Sequence, residues 1–162
     1  RRVLFRSAFS DNLSWFNSPY HAPNQVSITN NLALNAGTIP DNTNYRFSGY
    51  FVPQVSGQYR FFTNSDDGSF LYLGNANQSV GDLQSVVQGS ADYHNQYLVV
   101  NNAGYHGNVH SEGVSQYLEA GKAYPISAYY YEGGGGNNFE FGFQGPGANG
   151  FTQNGSGYVY TA

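Results

Sequence analysis

The chain lacks cysteine and methionine and has little charge, and the deficits in cysteine and in charge each argue against a class of site or function. Without cysteine, disulfides and thiolate metal sites are excluded. Charged residues are 10% of the chain, the net charge is −4 and Lys122 is the only lysine, which argues against nucleic-acid binding. No apolar run approaches the roughly 18 residues that a membrane helix needs, so membrane insertion is not expected.

What the chain has instead is aromatic residues and glycine. Fifteen Tyr, 12 Phe and 21 Gly residues favour half-buried strands joined by turns. The composition therefore predicts an all-β protein, an antiparallel sandwich or barrel with long loops. At 162 residues the simplest organisation is a single domain over residues 1–162, large enough to bury a core.

The same composition, rich in Asn, Gly, Ser and Tyr, is typical of extracellular or cell-surface proteins. Three glycosylation sequons begin at Asn12, Asn77 and Asn154. No signal peptide is recognised, so we expect a fragment of a longer exported protein. Residues 1–6 hold three arginines and are unlike the rest, so we expect an artificial or assembly edge without a role.

Period-two alternation locates the strands. Apolar residues alternate over 45–51 and 139–143, and residues 97–100 and 124–131 also have strand character. Residues 101–113 are predicted to be a polar loop. Residues 75–95 are polar, with Leu83, Val86 and Val87 as expected buried points, and no helical period persists for three turns.

Adjacent carboxylates, Asp66 and Asp67, lie between two aromatic-rich strands, 58–63 and 69–74, which resemble a hairpin. Neighbouring side chains of a strand point to opposite faces, so the two can share a cation only if the backbone between them is bent or cis. Calcium suits such a site because it takes several oxygen ligands in loose geometry. Alternatively, Asp67-Gly68 is a plain hairpin turn.

The stretch from Glu132 to Asn138 contains four consecutive glycines, which allow close approach of the backbone to a ligand. A calcium site completed by this loop would use Glu132 or Asn137 and the carbonyls of Gly134 and Gly136. An anion-binding nest and a simple hairpin tip are the alternatives.

No catalytic set is recognised, and we expect no enzyme. His21, His94, His106 and His110 lack zinc-site spacing, although His106 and His110 are four apart. No G-x-S-x-G context surrounds a serine. Two adjacent aspartates are poorly placed for glycoside hydrolysis, which needs carboxyls about 5–9.5 Å apart across a sugar.

Several blocks over residues 45–147 resemble the PA14 domain, in the family's order. The resemblance implies a two-sheet β-sandwich of the kind found in adhesins, glycosidases and toxins, many of which bind glycans. In its calcium-dependent lectin branch an Asp pair joined by a cis peptide binds the ion, and Asp66 and Asp67 match that pair. The blocks are YFVPQVSGQYRF (50–61), SDDGSFLYLG (65–74), NNAGYHG (101–107), LEAGKAYPI (118–126), YEGGG (131–135) and QGPG (144–147).

The resulting hypothesis is an extracellular lectin or adhesin module whose calcium ion ligates sugar hydroxyls. Its partners would be glycans, contacted by Asp66, Asp67, Tyr131, Asn137 and Asn138. One alternative is a structural subunit that self-assembles into a fibre or surface layer. Another is an accessory domain, beside other domains, of a glycoside hydrolase or other exoenzyme.

Overall fold

A computed structural model of the chain describes residues 2–6, 13, 22–29, 32–90, 93–153 and 158–160. The predictions at Asn12, His21 and Asn154 lie outside these residues. The elements are β1 (Arg2–Arg6), β2 (Gln25–Ser27), β3 (Ala33–Leu34), β4 (Thr43–Phe51), β5 (Gly57–Asp66), β6 (Ser69–Leu73), α1 (Val80–Gly89), β7 (Leu98–Asn102), β8 (Val109–Glu112), β9 (Gln116–Leu118), β10 (Tyr124–Glu132), β11 (Asn138–Gln144), β12 (Thr152–Gln153) and β13 (Val159–Tyr160).

Two antiparallel sheets form the sandwich, as the sequence predicted. The seven-stranded sheet has the order β2-β1-β4-β10-β6-β7, with β13 also paired to β4. The six-stranded sheet has the order β12-β11-β5-β8, with β3 paired to β11 and β9 paired to β5. β1 pairs with both β2 and β4, so Arg2–Arg6 belong to the seven-stranded sheet, and the artificial or assembly edge expected over residues 1–6 stays a prediction.

Aromatic rings fill the space between the sheets. The alternation in β11 is confirmed, since Phe139, Phe141 and Phe143 are each at most 2% exposed. Phe139 stacks on Phe47 across the sandwich at 5.1 Å between ring centroids. Phe143 meets Phe51 edge-on at 5.0 Å. Rings in such offset and edge-to-face contacts add specific attraction to the burial of their apolar area.

One helix, α1, covers the outer face of the seven-stranded sheet, where the sequence predicted only irregular chain. Ser79 and Asp82 form a capping box at its start, a signal that the polar composition of this stretch concealed. Leu83 and Val87 are fully buried, as predicted, but Val86 is 45% exposed because it faces away from the sheet. All nine residues of β10 are therefore buried.

The strands on either side of the Asp pair do not form the predicted hairpin. β5 belongs to the six-stranded sheet and β6 to the seven-stranded sheet, so the chain crosses the sandwich between them. Asp-Gly signals tight turns of several kinds, and the distant partners of the two strands decide which kind forms. A second correction concerns residues 101–113, which contain β8 as well as loop.

Four crossings between the sheets converge at one end of the sandwich, which we call the apex. They are residues 35–42, 67–68, 103–108 and 133–137. Their common location follows from register, because Thr43 pairs with Glu132 and Asp66 pairs with Asn138. The described residues contain no helix long and apolar enough to span a membrane.

Candidate functional site

Three carboxylates meet at the apex. Asp66 is the last residue of β5, Glu132 is the last residue of β10, and Asp67 lies in the crossing that follows Asp66. Each offers a carboxylate oxygen, and these oxygens all lie within 4.8 Å of one another. The Asp66–Asp67 peptide bond is cis. The structure thus brings together the three acidic residues that the sequence singled out.

Asp67 is held by two backbone amides from different crossings. The amide of His106 donates to Oδ1 at 2.8 Å, and the amide of Gly133 donates to Oδ2 at 2.9 Å. The side chain is only 6% exposed. Hydrogen bonds to an ionised carboxylate are stronger than neutral ones, so Asp67 ties the 103–108 and 133–137 loops to the Asp pair.

Glu132 has one satisfied and one unsatisfied oxygen. The Tyr130 hydroxyl lies 3.0 Å from Glu132 Oε2 and 2.6 Å from the carbonyl oxygen of Asp66, and it can donate to either. Oε1 is buried and accepts no hydrogen bond of good geometry, although the backbone amide of Gly134 is near enough to Glu132 to lower its pKa. A buried oxygen without a partner carries a desolvation penalty, which a bound cation would remove.

Burial and like charge raise the proton affinity of the cluster. Burial raises the pKa of Asp66 above its ordinary value, the Asp67 carboxylate raises it further, and His106 partly opposes them. Burial also raises the pKa of Glu132, which the hydrogen bond from Tyr130 lowers and the charge of Asp67 raises again. The cluster is therefore a concentration of negative charge that favours either protons or a cation.

The donor set fits calcium. Every converging side-chain ligand is an oxygen, and calcium binds six to eight oxygens with tolerant geometry. The glycine loop approaches the cluster closely: a Cβ at Gly136 would lie 2.6 Å from Asp66 Oδ2. Gly134 has a φ of +150°, which favours glycine. The carbonyl ligands predicted at Gly134 and Gly136 stay predictions, as does the metal role of each side chain.

The side chains of the two asparagines after the glycines, Asn137 and Asn138, form hydrogen bonds with neighbouring loops. Asn137 Oδ1 accepts from the amide of Gly37 at 2.6 Å, and its Nδ2 donates to the carbonyl of Ile39 at 3.0 Å. Asn138 Nδ2 lies 3.1 Å from Asn108 Oδ1, to which it donates. Asn137 thus holds the 35–42 loop against the 133–137 loop, and any ligand contact by either asparagine stays a prediction.

The predicted sugar contact at Tyr131 needs correction, because its ring is 2% exposed. Its hydroxyl accepts from the amide of Gly104 at 2.7 Å, and its ring packs beneath Tyr105 with centroids 5.5 Å apart. Tyr105 is 67% exposed and touches Gly133 beside the carboxylates. Sequence reasoning missed Tyr105 because the 101–113 stretch has no periodic pattern.

A cavity of about 540 Å³ opens beside Asp66. Asparagine side chains dominate its polar lining, together with Glu140 and glycines of the 133–137 loop. Asn64 precedes Asp66 by two residues and so shares its face of β5, a relation visible in the sequence once the strand is placed. The lining asparagines are Asn64, Asn108, Asn137 and Asn138.

The histidines of the 101–113 stretch do not join the carboxylates. The His106 ring nitrogens lie 2.8 Å from the carbonyl of Gly107 and 3.2 Å from that of Asn102. His110 Nε2 lies 3.1 Å from Glu112 Oε1. Among the described residues, the acidic triad is the cluster with metal-ligand geometry, and the alternative of a histidine zinc site gains no support.

The raised carboxyl pKa values predict how stability varies with pH in the absence of metal. The folded state holds protons on Asp66 and Glu132 more tightly than the unfolded chain does. Their contribution to the free energy of unfolding is therefore complete below the unfolded-chain pKa, about 4, and is lost as pH rises through the higher folded-state pKa. Thermal melts in EDTA across this range should show that decline.

The matched control is the double variant Asp66→Asn, Glu132→Gln. It keeps the shapes of both side chains but removes their titration, so its melting temperature should decline less over the same pH interval. Parallel curves for the two proteins would contradict the assignment of raised pKa values to this pair.

The two-sheet topology and the apical crossings define a PA14-type β-sandwich. A family model described as the GLEYA domain matches residues 43–145, and the chain belongs to this family. No match was found among curated protein sequences.

Solved structures share the fold. The A domain of epithelial adhesin 9 from Candida glabrata, solved with Galβ1-4GlcNAc, superposes with a TM-score of 0.71 at 18% identity over 99% of this chain and 87% of its own. The PA14 domain of the antifreeze protein MpAFP gives 0.65 at 13% identity over 99% and 88%. An anti-sigma factor domain-containing protein gives 0.70 at 18% identity over 99% of this chain, which spans 47% of that protein.

Proposed function

We propose that this chain is a calcium-dependent carbohydrate-binding module of an extracellular adhesin or related protein. The observation that carries the proposal is the convergence of Asp66, Asp67 and Glu132 beside an open, asparagine-lined cavity. A cluster with excess negative charge and a buried, unpaired oxygen suits a cation. A cavity lined by carboxamides suits a ligand rich in hydroxyl groups, since each amide offers both donors and an acceptor.

The chain's own residues would hold the ion from two sides. Asp66 at the end of β5 and Asp67 in the crossing that follows it approach from one side, and Glu132 at the end of β10 approaches with the 133–137 loop from the other. Amides of His106 and Gly133 fix the Asp67 carboxylate in place before any ligand arrives. Calcium, when bound, supplies positive charge and open coordination positions for neighbouring sugar hydroxyls.

The surroundings of the cluster would orient the sugar. On one side, Asn64 lines the cavity with a side chain that makes no hydrogen bond within the described residues. On the other side, the exposed ring of Tyr105 lies against Gly133 and offers an apolar face to the sugar's C–H groups. Because such contacts are few, affinity per site is expected to be weak and to gain from multiple copies.

An adhesive, non-enzymatic role at the cell surface accords with several observations. The chain is cysteine-free and poor in charge, and a similar fold occurs in a Candida glabrata adhesin domain solved with a disaccharide. A fold shared at 18% identity leaves the sugar itself to be determined by the loops of this chain.

A glycan array probed in calcium, in EDTA and after calcium is restored tests the proposal. We expect a set of glycans that is retained in calcium, lost in EDTA and recovered on restoration. Identical retention in all three conditions would contradict calcium dependence. Absence of retained glycans, together with a polymeric species in light scattering, would favour the structural-subunit alternative.

A further inference from the structure

A second cavity lies at the end of the sandwich opposite the apex, and we call it the distal cavity. It has a volume of about 290 Å³ and is lined where β6 ends and where β7 and β10 begin. Tyr124 begins β10 and Glu132 ends it, so the two ends of the strand are roughly 26 Å apart at the usual rise per residue. The distal cavity is therefore separate from the carboxylate cluster.

The polar lining of the distal cavity consists of neutral groups with unused hydrogen-bonding capacity. Asn75, Gln96 and Gln116 line it, and their side-chain amides make no hydrogen bond with the described residues. Each such amide offers two donors and an acceptor. No acidic or basic side chain is among the described lining residues. The distal cavity therefore suits an uncharged ligand with several hydroxyl or amide groups.

Three tyrosines, Tyr97, Tyr117 and Tyr124, provide aromatic surface in the same cavity. Tyr117 is 63% exposed, whereas Tyr124 is 7% exposed and accepts a hydrogen bond from the amide of Glu119 at 2.9 Å. The amide of Leu73 donates to the carbonyl of Tyr97 at 2.9 Å, which fixes the backbone of the wall. Part of the site is thus pre-formed, as in most small-ligand sites.

Aromatic faces beside free carboxamides match the two sides of a sugar ring, which has C–H groups on its faces and hydroxyl groups at its edge. A phosphate or carboxylate ligand would find no cation among the described lining residues. We propose that the distal cavity binds a neutral mono- or disaccharide without a metal ion. This second site does not depend on calcium and goes beyond the function proposed for the apex.

Backbone amide NMR of the ¹⁵N-labelled chain in EDTA tests this site directly. Lactose, cellobiose and methyl mannoside are titrated separately at millimolar concentrations. For at least one sugar, we expect shifts at Gly74, Gln96 and Gln116 that saturate. Absence of shifts around the distal cavity with all three sugars would overturn the proposal.

Substitutions at the distal cavity and at the apex distinguish sugar binding at the two proposed sites. Tyr117→Ala should weaken the EDTA-resistant binding about fivefold or more, since it removes an aromatic platform. Tyr105→Ala, at the apex and similarly exposed, is the matched control and should leave this binding unchanged. Gln96→Ala, also at an exposed position, gives a second test that does not threaten the fold. Unchanged affinity in both distal variants would overturn the proposal.

Failure of this proposal is distinguishable from failure of the apical one. In calcium, the amides of Asp67 and Gly133 report sugar at the apex, and those of Gly74 and Gln116 report sugar at the distal cavity. Asp66→Asn should remove the first set of shifts and leave the second. Loss of both sets in that variant would show that the distal response depends on the apex and would overturn an independent site.

Discussion

Replacing Asp66 by Asn should lower the affinity of the chain for calcium on the order of 100-fold and abolish calcium-dependent glycan retention. Asp66 shares the cluster with two other carboxylates, and removing one of three negative charges removes both a ligand and much of the local attraction for a cation. Calorimetric titration of calcium, followed by the glycan array, measures both effects.

Asp66 is a better test position than Asp67. Both Asp67 oxygens accept backbone amides, so an Asn there would place an NH₂ group against an N–H donor and disturb the loops. The link from Asp66 to Tyr130 uses the backbone carbonyl, which the substitution leaves in place. Loss of binding with an unchanged melting profile in EDTA at low pH would therefore report the site and not the fold.

Glu119→Gln is the matched control for Asp66→Asn. It also removes one carboxylate, but Glu119 pairs with Lys122 in the turn before β10, far from the apex. An exposed pair of this kind contributes little to stability. Calcium affinity should equal that of the parent chain. Wild-type calcium affinity in Asp66→Asn, or equal losses in both variants, would contradict the proposed site.

Replacing Gly113 by Ala should lower the free energy of unfolding by about 3 kcal/mol, near the upper end for overpacked interiors. Gly113 follows β8, and its amide donates to the carbonyl of Phe61 at 2.9 Å. A Cβ on Gly113 would overlap the backbone carbonyl of Val99 in β7. Gly113 is held by its hydrogen bond to Phe61, and Val99 lies between Leu98 and Val100, which both pair with β6, so neither partner can move aside cheaply.

Urea denaturation measures this effect, and thermal melts should show a fall of roughly 6–12 °C for a chain of this size. Gly107→Ala is the control, since Gly107 lies in the preceding crossing and an added Cβ would meet nothing within 4 Å. That variant should unfold within about 0.5 kcal/mol of the parent. Equal midpoints for the two variants would show that the β7–β8 contact yields easily.

The strands were predictable because their signal is local. Phe139, Phe141 and Phe143 alternate in the sequence, and the same residues alternate into the core. Pairing was not predictable in the same way. The sequence around Asp67-Gly68 is compatible both with a hairpin and with a crossing between the two sheets. Which of the two forms depends on the partner strand of β5, which is β11, where Asn138 pairs with Asp66.

The acidic members of the candidate site were predictable, and its surroundings were not. Two adjacent aspartates, and a glutamate directly before four glycines, are conspicuous in a chain with so few charged residues. Tyr105 is one of 15 tyrosines and lies in a stretch without periodicity, so only its position beside Gly133 distinguishes it. Likewise, the sequence does not show that Tyr131 is buried beneath Tyr105.

Asp67 accepts its two hydrogen bonds from the amides of His106 and Gly133, which are 39 and 66 positions further along the chain. Asn137 reaches back 98 and 100 positions to the 35–42 loop. Contacts so remote in sequence form late, because loop closure must precede them. The apex is therefore a product of complete folding: a truncated or misfolded copy would carry the same acidic residues without bringing them together.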